Sequence, residues 1–207
     1  MFNVLRISLL AVAAGSSAGV AANGLTVQVN DAAGKPVADT VVVAEPEAGV
    51  ALPRYLRPGE IEQRGLKFIP LVSVIQTGSQ VSFPNNDKVK HHIYSFSPAK
   101  KFDQKLYSGV AAAPQVFDKA GTVVLGCNIH DRMVAYVKVV DSPFFAKTDG
   151  AGVAKIALPA GGKYTVSAWH YNMSAPTADQ TVVVKGDTAL VFKLTLKPPV
   201  ADTDQGF

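Results

Sequence analysis

The chain has a single cysteine in 207 residues. It can therefore form no internal disulfide, and no disulfide framework holds the fold together. Helical periodicity longer than two turns is missing throughout, which excludes a helix bundle. Beyond the first 22 positions no run is apolar enough to cross a bilayer, which takes about 20 residues. The basic excess is mild, a formal net charge of +4 with no Arg-rich run and no interleaved aromatic stripe, so nucleic acid is not an expected partner.

What is present begins with a leader. Met1-Phe2-Asn3-Val4-Leu5-Arg6 supplies one cation, Ile7 opens a short apolar run, and small residues end at Val20-Ala21-Ala22. This is the pattern of a secretory signal peptide over residues 1–22, with cleavage after Ala22 and a second possible cut at Ser16-Ser17-Ala18. The expected location is the periplasm. About 185 residues remain, enough for one large domain or two small ones. An exported chain with an unpaired thiol carries a reactive liability unless something occupies the sulfur, and a metal ion would do so.

Valine, threonine and short turn-bounded runs predict an all-β chain. Residues 25–29 alternate apolar and polar, Asp31-Ala32-Ala33-Gly34-Lys35-Pro36 is a turn, and 37–44 is a strand, which together predict a β-hairpin. Residues 45–60 are broken by Pro46, Pro53 and Pro58 into an irregular connection. Strands are expected at 65–70, 71–76, 80–83, 91–96, 116–117, 122–125 and 134–140. Residues 97–114 are polar and read as a loop. After Asp141-Ser142-Pro143 come strands at 153–158 and 164–169, then a last hairpin of 181–185 and 189–196 around Gly186-Asp187. The tail at 198–207 is expected to be disordered.

The chemistry concentrates in Leu125-Gly126-Cys127-Asn128-Ile129-His130-Asp131-Arg132-Met133. A thiolate, an imidazole and a thioether recur every three residues. Two His, one Cys and a weak axial Met are the donor set of a blue-copper site. The missing imidazole has two candidates, His91 and His92. Zinc also takes Cys and His, but thioether is a poor zinc ligand, so Met133 argues for copper. A Cys–His nucleophile pair is a further alternative, and no orienting third group or oxyanion feature supports it. His170, in Trp169-His170-Tyr171, reads as a surface or hydrogen-bonded residue beside an aromatic pair that could serve an interface. Lys88, Lys90, Lys100, Lys101 and Lys105 cluster around the candidate histidines and could steer an acidic partner.

Cys127-x-x-His130-x-x-Met133 resembles the ligand loop of cupredoxins, with the short spacing of amicyanin. Phe83-Pro84-Asn85-Asn86-Asp87-Lys88-Val89-Lys90-His91-His92 resembles the segment that leads to the first His ligand of that family. Phe68-x-Pro70 and the Gly78 turn before Val81-x-Phe83 also look like it, so the resemblance spans roughly residues 60 to 140. It implies a Greek-key β-sandwich holding one type 1 copper. Metal ligands would be His91, Cys127, His130 and Met133, with Asn85, Asn86 and His92 as supporting residues or, for His92, an alternative ligand. Two departures stand out. His92 sits where plastocyanins and amicyanin carry Asn, and Asp131 sits where amicyanin carries Pro. Asp131, Lys88 and Lys90 form an expected partner surface.

The flanks resemble one further module. Leu25-x-Val27-x-Val29, Asp31-x-x-Gly34-x-Pro36-Val37, then Lys147-Thr148-Asp149-x-x-Gly152 and Leu158-Pro159-Ala160-Gly161-Gly162-Lys163-Tyr164 look like a carboxypeptidase-regulatory-like (prealbumin-like) β-sandwich. The expected layout is residues 23–45 and 142–197 in that sandwich, with the cupredoxin unit, 46–141, inserted in or packed beside it. Proteins of this two-part layout are sometimes labelled methylamine-utilisation proteins. The implied function is single-electron transfer with a redox partner, a c-type cytochrome or a dehydrogenase, and no enzyme activity. The alternatives are a copper carrier without redox turnover and an envelope-binding sandwich with a structural metal.

Overall fold

The computed structural model describes residues 23–49, 51–107, 113–159 and 161–198. The expected leader and all but the first residue of the expected tail lie outside these. The chain is all-β. Its strands are β1 (Asn23–Asp31), β2 (Val41–Pro46), β3 (Gly59–Glu60), β4 (Glu62–Gln63), β5 (Phe68–Ile69), β6 (Val72–Gln76), β7 (Ser79–Ser82), β8 (His91–Ser97) and β9 (Lys100–Tyr107). They continue with β10 (Gln115–Phe117), β11 (Gly121–Cys127), β12 (Val134–Val140), β13 (Phe145–Lys147), β14 (Val153–Leu158), β15 (Lys163–Trp169), β16 (Gln180–Val183) and β17 (Thr188–Leu194).

Alternation sets the first core. Leu25, Val27 and Val29 point inward from β1 and are fully buried, as strand periodicity requires. β1 is the middle of the sheet β14-β1-β17, antiparallel to β14 and parallel to β17. A second sheet, β13-β2-β15-β16, closes over it. Val42, Ala44, Val166, Phe192 and Leu194 from the two sheets share one hydrophobic core with the β1 residues.

Two expected hairpins do not form. β1 and β2 lie in different sheets. The turn is as expected, with Asp31 Oδ1 accepting from the Ala33 and Lys35 amides at 2.9 and 2.8 Å. Both edges of β1 are taken by β14 and β17, so no ladder is left for β2. Asp39, with φ of 56°, lies on the crossing to the opposite sheet. β16 and β17 likewise part at the Gly186-Asp187 turn, β16 pairing with β15 and β17 with β1. Turn chemistry predicts a reversal but not which strand is free to receive it.

The second sandwich uses residues 59–140. A five-stranded sheet, β6-β12-β11-β8-β9, faces a smaller one, β10-β7-β3, with β4 and β5 paired beside them. Ile61, Phe83, Ile93, Phe117, Val123, Leu125 and Val137 fill the space between. The expected loop at 97–114 contains β9, which pairs with β8 from His91 to Ser97. Its lysines hid it in the sequence, and an exposed edge strand carries such charges to block further pairing. The expected strand over 65–70 shrinks to Phe68–Ile69, because Gly65 and Leu66 adopt φ of 62° and 56° and wrap around the Asp87 carboxylate.

The two sandwiches meet sheet to sheet. β2 reads as a continuous apolar run because both of its faces are covered, a pattern of doubly buried strands. Val42 and Ala44 enter the first core, while Val41 and Val43 turn outward against Val72 of β6 and Val140 of β12. Tyr136 stacks on Tyr171 with centroids 4.9 Å apart, and Lys138 Nζ lies 5.3 Å over the Trp169 ring. Buried Gln76 ties down both connections between the sandwiches. Its Nε2 donates to Pro53 O and Asp141 O, each at 3.0 Å, and its Oε1 accepts the Tyr55 amide at 2.8 Å.

His170 is buried beside this junction rather than on the surface, and its Nδ1 accepts the Asn172 amide at 3.2 Å. Burial lowers its pKa, against the raising effects of Asp39 and a bond to the Ala38 backbone. The native state thus holds the imidazole neutral, while the unfolded chain takes up its proton at about pH 6.5. Stability from this group is complete above that pH and falls as pH drops from it toward the native value. His170→Gln is expected to flatten the loss of urea midpoint between about pH 7.5 and about pH 5.5. An unchanged slope in the variant would remove His170 as its source.

Candidate metal centre

β8 starts at His91 and β11 ends at Cys127, and the two strands pair antiparallel with Cys127 opposite Ile93. Side chains alternate across a strand, so the adjacent histidines must face opposite ways. His91 points inward and is fully buried. His92 points outward, half-buried, and binds the Asp103 carboxylate on β9. The expected alternative-ligand role of His92 therefore has no support in the geometry. The loop after Cys127 is held by Asn128 N donating to His92 O at 3.0 Å and Met133 N donating to His130 O at 2.9 Å. That tight turn folds His130 back over Cys127.

Three donor atoms converge. Cys127 Sγ is 3.7 Å from His91 Nδ1 and 3.6 Å from His130 Nδ1, and the two Nδ1 atoms are 3.2 Å apart. Both rings present the same nitrogen. Cys127 is 3 % exposed and His91 not at all, so only the half-buried His130 opens the cluster to solvent. Met133 is buried in the same hydrophobic core as Cys127.

Asp87 is a residue that sequence reasoning missed. Its Oδ2 accepts from His91 Nε2 at 2.8 Å. That bond places the ring proton on Nε2 and leaves the Nδ1 lone pair directed at Cys127 and His130. Asp87 also accepts the Gly65 amide at 2.6 Å and the Leu66 amide at 3.1 Å. Burial pushes its carboxyl up, but the bonds from His91, Gly65 and Leu66 outweigh that and hold it below the usual carboxylate value. The only sequence signal for Asp87 was its place in a Pro-Asn-Asn-Asp turn four residues before His91.

The expected supporting residues divide. Buried Asn85 donates to Val89 O at 2.9 Å and Tyr107 O at 3.0 Å, and its Oδ1 accepts the Asp87 amide at 3.0 Å. It shapes the turn that carries Asp87 without touching the cluster. Asn86 is exposed and bonds Glu62 at 2.8 Å. Lys88, Lys90 and Asp131 are exposed, as a partner surface would need. Tyr107, opposite His91 on β9, was also missed because its strand read as loop. Its hydroxyl donates to Phe83 O and accepts from Gln63 Nε2. Burial pushes its pKa up to about 12, the Gln63 bond opposes this, and the nearby Cys127 charge adds to it.

Two imidazole nitrogens and one sulfur, sealed from water except at one ring edge, form a donor set for a soft or borderline metal ion. Within the described residues this is the group of ligating side chains close enough to share one ion.

No model of a known protein family and no curated protein matches the chain. Solved structures do align with part of it. A purple cupredoxin from Nitrosopumilus maritimus is 24% identical, with a TM-score of 0.36 over 39% of this chain and 98% of that one. A single-site mutant of amicyanin in its Cu(I) form is 15% identical, with a TM-score of 0.37 over 47% of this chain and 97% of that one. A Cu-containing nitrite reductase from Thermus scotoductus SA-01 is 24% identical, with a TM-score of 0.38 over 46% of this chain, which spans only 25% of that enzyme. At these values the likenesses stand as similarities alone.

Proposed function

We propose that the chain is an exported, periplasmic cupredoxin-type electron carrier in which Cys127, His91 and His130 would hold one copper ion, with Met133 offering a thioether as a further donor. The observation that carries this is the convergence of Cys127 Sγ with the Nδ1 atoms of His91 and His130. Copper there supplies a one-electron Cu(II)/Cu(I) couple. The chain's residues supply the rest. Two strands and one tight loop hold the donors, Asp87 fixes the His91 ring, the core excludes water, and His130 gives the one edge of the cluster open to solvent. The buried thioether of Met133 in the same core favours copper over zinc, which also takes Cys and His.

The layout supports a carrier that is one insert in a host. Residues 23–45 and 142–197 pair with each other in the first sandwich, and 46–141 contain the strands of the second. We read this as a cupredoxin unit inserted in a prealbumin-like sandwich, whose role is to bind or orient. The expected partner is a redox protein.

The test is to add one equivalent of Cu(II) and record the visible spectrum, then the voltammogram. An intense thiolate–Cu(II) band with a reversible one-electron couple is expected. No band removes the copper assignment, and a band without a reversible couple makes the protein a copper carrier instead.

A further inference from the structure

Among the described residues, the outer face of the five-stranded sheet is covered on one half only. At β6 and β12 it packs against the first sandwich through Val72, Val140 and Tyr136. The same cross-strand row then runs on uncovered. Val124 of β11 lies opposite Tyr136. The pairing of Gly126 with Tyr94, carried two residues further, sets Phe96 of β8 opposite Val124. Phe96 is 76 % exposed, the highest value among the large apolar side chains of the described residues, and Val124 is 42 % exposed. Tyr94 packs on Phe96 with centroids 5.1 Å apart. Single exposed apolar residues are ordinary. Here they are contiguous, and they continue an interface that is already in use.

The rim is basic. Lys101 sits directly opposite Phe96 on β9, and Lys105 follows on the same outward row. The acid between them, Asp103, is bound to His92. A second copy of the chain would bring the same lysines and be repelled, whereas an acidic surface would be attracted. The patch also backs onto the metal centre. A Cβ built on Gly126 would come within 2.8 Å of Tyr94 Cζ, so the phenol ring rests on the residue bonded to Cys127. The apolar patch is thus one residue removed from the thiolate.

We propose that this face docks the acidic surface of a redox protein, with Phe96 as the apolar contact and Lys101 and Lys105 as the cationic rim. That the partner is a redox protein rests on the copper reading of the metal centre; the face itself does not. One electron and no atoms would cross, one protein being oxidised by one unit and the other reduced by one.

The test is an amide-shift titration of the isotope-labelled chain with a c-type cytochrome of net negative charge, on the metal-free and the Cu(I) forms. Shifts are expected to centre on Tyr94, Phe96, Lys101 and Val124. Phe96→Ser should weaken binding at least about fivefold, the loss of a contact worth about 1 kcal/mol or more. Lys101→Glu with Lys105→Glu should slow association about tenfold at low salt and flatten its salt dependence. Ile129→Ser, beside His130, should leave binding unchanged. A map centred on Ile129 and His130, or Phe96→Ser binding like the parent, overturns the docking face even when the thiolate–copper band is present. A map at Phe96 in a chain that gives no such band keeps the face but overturns the redox class of its partner.

Discussion

Cys127→Ala is expected to abolish the thiolate–Cu(II) absorption completely, along with any reversible couple, while the chain stays folded. The sulfur is one of three converging donors, and no other thiol exists in the sequence to replace it. Its side chain lies in the second core and is almost fully buried, so truncation removes one small apolar group and costs about 1 kcal/mol of stability. Spectrum and melt together make the result specific. A band that survives in the variant would place the copper elsewhere. A band lost together with the fold would make Cys127 a packing residue, and His130→Ala would then be needed to separate binding from stability, since that side chain is half-exposed.

Asp87→Asn should weaken copper binding by roughly ten- to a hundredfold, the range seen when a carboxylate behind a ligating histidine is lost. That range corresponds to about 1.4–2.8 kcal/mol. The amide keeps the size of the carboxylate and one acceptor oxygen, so the Gly65 and Leu66 bonds are weakened and not all deleted. The oxygen facing His91 Nε2 is the one that matters. If the amide turns its NH2 group that way, the ring proton moves to Nδ1 and blocks the donor lone pair. A chelator competition at neutral pH reads the loss directly. Asn86→Ala is the control, since Asn86 is exposed and its side chain bonds Glu62, away from the cluster. Affinity within about twofold of the parent in Asp87→Asn would reduce Asp87 to a brace for the 65–66 turn.

The cluster was legible in the sequence because its donors are rare residue types at fixed spacings. A lone cysteine followed by His130 and Met133 leaves few other readings, and the resemblance of the segment after Asn85 to cupredoxins points to His91 over His92; in the structure, strand alternation turns the two rings opposite ways. Asp87 was not legible, because nothing in the turn Pro84-Asn85-Asn86-Asp87 says which side chain bends back onto β8. The strands were found wherever apolar alternation was strong, as in β1, β12 and β14. β9 was hidden because an edge strand spends one face on lysines and an aspartate. The partners of β1, β2, β16 and β17 were hidden for a different reason. Local turn chemistry fixes where a chain reverses, while the sheet it joins depends on which edges distant strands have already taken.

The amide of Gln76 has a consequence for how such a chain could have come about. It bonds Pro53 and Tyr55 on the way into the second sandwich and Asp141 on the way out. Entry and exit therefore meet at one point, the Gln76 side chain. A segment that leaves and returns at a single point can be gained or lost between the same two flanking residues without moving either side of the host sheet. On the proposed layout, Gln76 belongs to the insert and not to the host. On that layout the clasp travels with the insert, and a host that lost residues 46–141 would lose the Gln76 amide with them.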